Sequence, residues 1–210
     1  IGVYPTRVTD YLHHWAKETP DRVFMGERGD DDGWREVTYA QMLDAARRIA
    51  SSLLARNLSP DPPIMVLSGN SIDHALVAFG ALYAGIPFAP VSPAYSLVSK
   101  DYGKLKYLMG LLTPGLVFVD DGDEFADAIR FNVPADVEVV VSRGALPDRR
   151  ATKLSDLLAT PEASSLDTAN QAIGPDPIAK FLLTSGSTAN PKAVTNTQRL
   201  THRLGVDARL

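Results

Sequence analysis

The feature that most constrains the fold is an alternation of short apolar runs with longer segments of helical periodicity. Val8, Leu12 and Trp15, for example, fall at the spacing of one buried helix stripe. Such alternation favours a largely parallel sheet with helices on its faces, an α/β fold. The predicted helices are "VTDYLHHWAKE", "YAQMLDAARRIASSLLAR", "SIDHALVAFGALYAG", "YGKLKYLMGLL" and "EFADAIRF", and the predicted strands are "PIMVLS", "PFAPV", "GLVFVD", "VEVVVS", "PIAKFLL" and "AVTNT".

Local signals predict where some of these elements begin and end. Thr38 followed by Gln41 forms a capping-box pattern ahead of the second helix, and Gly85 can end the third. Turn residues predict loops over 142–154 and 159–177, the second of them near a domain boundary. No internal repeat is visible.

Composition excludes several classes of protein. With 45% hydrophobic and 22% charged residues over 210 positions, the chain has the composition of a globular domain. A net charge of −4 argues against a general nucleic-acid binder, which needs a basic face. The absence of cysteine excludes disulfides and thiolate sites, and nothing at Ile1 resembles a secretory signal, so we expect a cytoplasmic protein.

The most apolar stretch, residues 75–91, is interrupted by two glycines and two prolines. It is too short for a membrane span, which needs about 20 apolar residues, and we expect no membrane association.

The segment "FLLTSGSTANPKAV", residues 181–194, carries the clearest chemical signal. We predict that it forms a loop between two strands, one ending near Leu183 and one beginning near Ala193. Short hydroxyls and the freed backbone at Gly186 can surround a phosphate with donors, and Lys192 adds a positive charge. The pattern is not that of a P-loop NTPase, because Pro191 replaces the second glycine and Ala193 follows the lysine. Since such clusters also mark ordinary surface turns, the residues alone leave both interpretations open.

The segment also resembles the signature loop of the adenylate-forming superfamily, written T-S-G-S/T-T-G-x-P-K-x-V. That superfamily includes acyl-CoA synthetases, peptide-synthetase adenylation domains and luciferases. "GALYAGIPFAPVSPAYS" and "VTYAQMLDAARRIASSL" resemble two further segments of it, so the similarity spans most of the chain. Within the superfamily, "APVSPAYSL" and "PKAVTNTQR" are most similar to the feruloyl-CoA synthetase group.

The resemblance implies an ATP- and Mg²⁺-dependent ligase that joins a small carboxylic acid to coenzyme A through an acyl-adenylate. It assigns the β- and γ-phosphates of ATP to five loop residues and gives Lys192 the role of counter-charge. These five are Thr184, Ser185, Gly186, Ser187 and Thr188. It also implies that the chain is the N-terminal portion of a larger domain and inactive as a ligase by itself. A phosphate-binding module without ligase chemistry is the alternative, and an interaction scaffold that kept the fold is a weaker one.

Two positions depart from the superfamily pattern. Ala189 replaces a glycine, and a left-handed backbone there would cost about 1–2 kcal/mol in a non-glycine residue. Gln198 stands where many members carry a histidine, so no substrate-side role is transferred to it, whereas Arg199 keeps its position.

The remaining chemical groups have structural interpretations. Adjacent His13 and His14 predict solvated side chains rather than a metal pair, and His74 and His202 are isolated along the chain. The acidic run that starts at Asp121 follows a strand and is expected to favour a helix N-terminus. Four aromatic residues are predicted to pack internally: Trp15, Trp34, Tyr95 and Tyr102.

Overall fold

The computed structural model describes residues 5–29, 33–58, 61–184 and 190–201. The helices are α1 (Val8–Glu18), α2 (Tyr39–Ala55), α3 (Ile72–Ala84), α4 (Ala94–Leu97), α5 (Gly103–Leu112), α6 (Ala126–Asn132), α7 (Leu154–Leu158) and α8 (Leu166–Gln171). The strands are β1 (Val23–Arg28), β2 (Trp34–Thr38), β3 (Ile64–Leu67), β4 (Phe88–Val91), β5 (Leu116–Asp121), β6 (Glu138–Arg143), β7 (Thr152–Lys153), β8 (Ile178–Thr184) and β9 (Lys192–Thr197).

One sheet of seven strands organises the fold, in the order β7-β6-β5-β3-β4-β8-β9. All neighbouring pairs in it are parallel except β8 and β9, which are antiparallel. The hairpin of β1 and β2 forms a separate antiparallel sheet. The predicted α/β fold with a mostly parallel sheet is therefore confirmed.

The sheet buries both of its faces. Along β3 the side chains alternate, so that Ile64 and Val66 join one apolar cluster with α2 and α3. Met65 and Leu67 join the other cluster, with α5 and α6. Because helices cover both faces, the central strands are continuous apolar runs, which is the pattern that identified them in the sequence.

Helix ends follow the sequence signals. The Thr38 hydroxyl accepts a hydrogen bond from the Gln41 backbone N–H at 3.3 Å, and the Gln41 side chain accepts one from the Thr38 N–H at 2.9 Å. This is the predicted capping box. Gly85 ends α3 with a left-handed backbone, at φ 74°, which glycine adopts without steric cost.

Replacing Thr38 by alanine should lower the free energy of unfolding by about 1 kcal/mol, because the Gln41 N–H loses its acceptor. Urea unfolding followed by circular dichroism measures the change. Thr38→Ser keeps the hydroxyl and serves as the control. Equal losses in both variants would show that the methyl group, not the cap, matters.

Sequence reasoning was wrong at several short elements. The segments predicted as loops over 142–154 and 159–177 contain β7, the start of α7, and α8. These elements are only two to six residues long and are held by tertiary contacts, as Leu154 and Leu166 are buried in them. The hairpin of β1 and β2 and the single-turn helix α4 were also missed.

Trp34 was predicted to pack internally, but its side chain is 65% exposed. It lies on the separate hairpin with the Arg28 guanidinium 5.6 Å from its ring centroid, so a cation–π contact replaces burial. Trp15, Tyr95 and Tyr102 are partly buried.

No helix in the ranges that the structure covers combines the length and apolar character needed to cross a membrane.

Candidate functional site at the end of the β8–β9 hairpin

The register of β8 and β9 brings two of the predicted phosphate-binding residues together. Thr184 is the last residue of β8 and pairs directly with Lys192, the first residue of β9. The Thr184 hydroxyl lies 3.5 Å from the Lys192 carbonyl oxygen, and both residues are exposed. The strand ends match the predicted boundaries near Leu183 and Ala193.

The other predicted loop residues, Ser185, Gly186, Ser187 and Thr188, lie outside the described residues, as does Ala189. The structure therefore shows the two ends of the predicted phosphate loop, and these ends lie side by side. Their assignment to ATP stays a prediction.

The hairpin end lies at the carboxyl edge of the sheet. Because β8 runs parallel to β4, Thr184 emerges on the same edge as the segments that follow β3, β4 and β5. In open α/β sheets, ligands bind beyond the carboxyl ends of the strands. The position of the Thr184–Lys192 pair fits that rule.

Backbone hydrogen bonds hold the residues that follow β9 against the residues that precede β8. The N–H of Gln198 donates to the Pro177 carbonyl at 3.0 Å, and the N–H of Arg199 donates to the Pro175 carbonyl at 2.8 Å. The Arg199 guanidinium also pairs with Asp176 at 2.9 Å. Gln198 is only 2% exposed, so in this structure it occupies a packing position.

Sequence reasoning did not single out Lys180, which lies inside β8 on the same sheet face as Thr184. Its side chain is half-buried, and desolvation lowers the pKa of its ammonium. A lysine directly before the apolar run "FLL" was the available signal. Lys180 therefore adds a second cation to the sheet face that carries Lys192.

A row of polar side chains lies on the same edge, where β3, β5 and β6 end. Parallel register places Ser68, Asp120 and Ser142 next to one another. One Asp120 oxygen accepts the Gly69 N–H at 3.3 Å, whereas its other oxygen and the Ser142 hydroxyl are buried without a partner among the described residues. Sequence reasoning considered the acidic run only from Asp121 onward, and it therefore missed this row of polar side chains.

The described histidines have structural partners. His74 Nδ1 lies 2.9 Å from the Ser68 hydroxyl and 3.2 Å from the Gly69 carbonyl, and burial lowers the pKa of its imidazole. His14 is exposed, as predicted. His13 is half-buried and hydrogen-bonded to Tyr83, so its prediction as a solvated side chain was wrong. His202 lies outside the described residues.

Asp121 has a structural role in the turn after β5. One carboxylate oxygen accepts the N–H groups of Asp123 and Glu124, and the other pairs with Arg143 at 2.9 Å. The hydrogen bond from Arg143 lowers the pKa of this carboxyl. Across the part of the chain with described positions, no three histidine, aspartate or glutamate side chains could hold a metal ion together.

These features define the chain as an open α/β sheet with a Thr–Lys hairpin at its carboxyl edge, the edge where sheets of this class generally bind ligands. Residues 12–207 match the family of AMP-binding enzymes, and the chain belongs to that family. It is 29% identical over 195 residues to a salicylyl-CoA synthase / salicylate adenylyltransferase from Streptomyces sp, covering 89% of this chain and 34% of that protein.

Two further relatives show the range of proteins that the chain is similar to. A phosphinothricin tripeptide synthetase from Streptomyces viridochromogenes is 29% identical over 198 residues, covering 92% of this chain and 15% of that protein. The fold is shared with a fatty acyl-adenylate ligase from L. pneumophila, solved with acyl adenylate and pyrophosphate. The TM-score is 0.67 at 22% identity, over 96% of this chain and 31% of that one. The chain thus spans about a third or less of the length of these relatives.

Proposed function

We propose that the chain is the N-terminal portion, residues 1–210, of the large domain of a ligase that activates a carboxylic acid with ATP and passes it to coenzyme A. The observation that carries the proposal is the pairing of Thr184 with Lys192 at the carboxyl edge of an AMP-binding-family sheet. The reaction fits a cytoplasmic enzyme, which the lack of cysteine also favours.

The donor set at the hairpin end fits a polyphosphate. Two exposed residues, one with a hydroxyl and one with an ammonium, are paired at the two strand ends, and the intervening sequence adds Ser185, Ser187 and Thr188. ATP with Mg²⁺ supplies the phosphorus that a carboxylate attacks and the pyrophosphate that leaves. The hydroxyls and backbone N–H groups orient the β- and γ-phosphates, and Lys192 offsets their negative charge. None of these residues transfers a proton.

The acid that we propose is an aromatic hydroxycinnamate such as ferulate. "APVSPAYSL" and "PKAVTNTQR" support it through their resemblance to feruloyl-CoA synthetases, and the salicylate relative is also named for an aromatic acid. An amino acid is the second candidate, because a tripeptide synthetase is similar over 92% of the chain.

Acid-dependent exchange of pyrophosphate into ATP by the complete enzyme tests the proposal. We expect exchange with ferulate and coumarate to exceed that with long alkyl acids and amino acids by about tenfold or more, which needs about 1.4 kcal/mol of discrimination. Acid-dependent consumption of coenzyme A should follow the same preference.

Each alternative gives a different outcome. Preference for amino acids without use of coenzyme A would favour the peptide-synthetase assignment. Preference for long alkyl acids would overturn the hydroxycinnamate. Binding of ATP with no exchange for any acid would favour a nucleotide-binding module.

A further inference from the structure

His13 belongs to a polar cluster that joins four helices on the side of the sheet opposite α5 and α6. Its Nε2 atom lies 2.9 Å from the Tyr83 hydroxyl oxygen, although 70 residues separate the two in sequence. Tyr83 comes from α3 and has no exposed surface. His13 therefore connects α1 to a fully buried residue.

Ion pairs surround the Tyr83 hydroxyl on its other sides. Arg47 of α2 donates to this hydroxyl and pairs with Glu162 at 2.6 Å and with Asp167, the second residue of α8, at 2.5 Å. The Tyr83 hydroxyl lies 3.0 Å from the same Asp167 carboxylate. We call His13, Arg47, Tyr83, Glu162 and Asp167 the His13 cluster.

The hydrogen bonds and charges of this cluster depend on whether His13 is protonated. The Tyr83 hydroxyl has one proton and two possible acceptors, Asp167 and neutral His13, while Arg47 donates to its oxygen. Neutral imidazole can accept that proton or donate one of its own. Charged imidazole can only donate, and it places a second positive charge beside the Arg47 guanidinium.

The charged groups that act on His13 lie on α1, α2 and α8 and directly before α1. Arg47 from α2 opposes protonation, as does Arg7 next to α1, whereas Asp167 from α8 and Asp10 of α1 favour it. Burial is the largest influence and also disfavours the charged form, so that together they lower the pKa of His13. Tyr83 stays neutral, because burial raises the pKa of its phenol to about 12.

We infer that the His13 cluster is a pH-sensitive attachment of α1: neutral His13 holds α1 against α2 and α3, and protonated His13 releases it. The inference does not depend on the proposed function. It depends on the hydrogen bond between His13 and a buried phenol whose oxygen also accepts a hydrogen bond from a guanidinium.

The direction of the effect follows from linkage. When α1 is detached, His13 is exposed to solvent and binds a proton more readily than in the closed structure. Attachment is therefore fully stable above the pKa of free histidine, and it weakens as the pH falls from there through the lowered pKa of the closed structure.

Hydrogen exchange of the α1 amides on the 210-residue chain, between about pH 5 and 8, tests the inference. After correction for intrinsic exchange rates, the protection of residues 8–18 should fall as the pH is lowered. The fall should be at most about tenfold for each pH unit between the pKa of free histidine and the lowered pKa of His13 when α1 is attached. His13→Gln keeps a hydrogen-bonding side chain that does not titrate, and it should remove this pH dependence. His14→Gln changes the exposed neighbour on the same helix and should leave it intact.

Proton NMR titration of the His13 ring, assigned by its disappearance in His13→Gln, is the second measurement. We expect His13 to titrate below the usual pKa of a free histidine in the intact chain. Tyr83→Phe, which removes only the hydroxyl, should weaken the pH dependence of α1 protection.

Three results would overturn the inference: titration of His13 at or above the usual pKa of free histidine, α1 protection that is flat with pH in the wild type, or the same pH dependence in His13→Gln.

Discussion

Replacing Lys192 by alanine in the complete enzyme is expected to lower kcat/KM for ATP by about 10- to 1,000-fold, the range for loss of one charged stabiliser at a transferring phosphate. The expectation rests on its place opposite Thr184, at an exposed strand end on the carboxyl edge. Such a fall corresponds to about 1.4–4 kcal/mol of transition-state stabilisation.

Two variants separate charge from structure in this experiment. Lys192→Arg keeps the positive charge and should recover part of the activity, although its planar group places the charge differently. Lys106→Ala removes an exposed lysine of α5 and should leave ATP kinetics unchanged. Steady-state kinetics with varied ATP, at saturating acid, measure all three. Wild-type ATP kinetics in Lys192→Ala would remove this residue from the site.

The long elements of the fold could be predicted because local signals and tertiary packing agree in them. In α2, the capping box at Thr38 and the apolar stripe through Ala46, Ala50 and Leu53 indicate the same helix that the structure contains. The central strands were equally clear, since burial on both faces leaves continuous apolar runs.

The short elements could not be predicted, because their local sequence favours turns and distant contacts decide their structure. In α8, Ser165 and Asp167 are typical turn residues, yet buried Leu166 and Asn170 hold the helix in place. The Asn170 amide donates to the Tyr83 carbonyl at 2.9 Å, a partner 87 residues away. No local pattern contains such a contact.

Only the outline of the candidate site could be predicted from the sequence. A loop between two strands is a local feature, so its flanks at Thr184 and Lys192 could be located from the sequence. The His13 cluster and the row of Ser68, Asp120 and Ser142 depend on sheet order and helix packing, and neither has a signature along the chain.

Gly80→Ala is expected to destabilise the fold by up to about 2 kcal/mol, although alanine is the better helix former. Gly80 is buried within α3, where it faces Ile49 of α2. A Cβ atom at this position would lie 2.3 Å from Cγ2 and 2.7 Å from Cβ of Ile49. Overpacking of this kind costs about 1–3 kcal/mol, and the helix-propensity gain of about 1 kcal/mol offsets only part of that range.

Gly110 offers a matched control in a helix. It lies in α5, is exposed, and has no atom within 4 Å of the position that a Cβ would take. Gly110→Ala should therefore gain about 0.5–1 kcal/mol from helix propensity alone. Urea unfolding of both variants compares a glycine required by helix contact with one that is not.

A double-mutant cycle identifies the contact that makes Gly80 necessary. Ile49→Ala removes the Cγ2 methyl group nearest to the new Cβ, although its own Cβ stays 2.7 Å away, and it leaves a cavity, which by itself costs about 2–5 kcal/mol. If the two helices meet at this pair, the double variant should be more stable than the sum of the single losses implies, by at least about 0.5 kcal/mol. Strict additivity, or a stabilising Gly80→Ala, would show that α2 and α3 are not in close contact at Gly80.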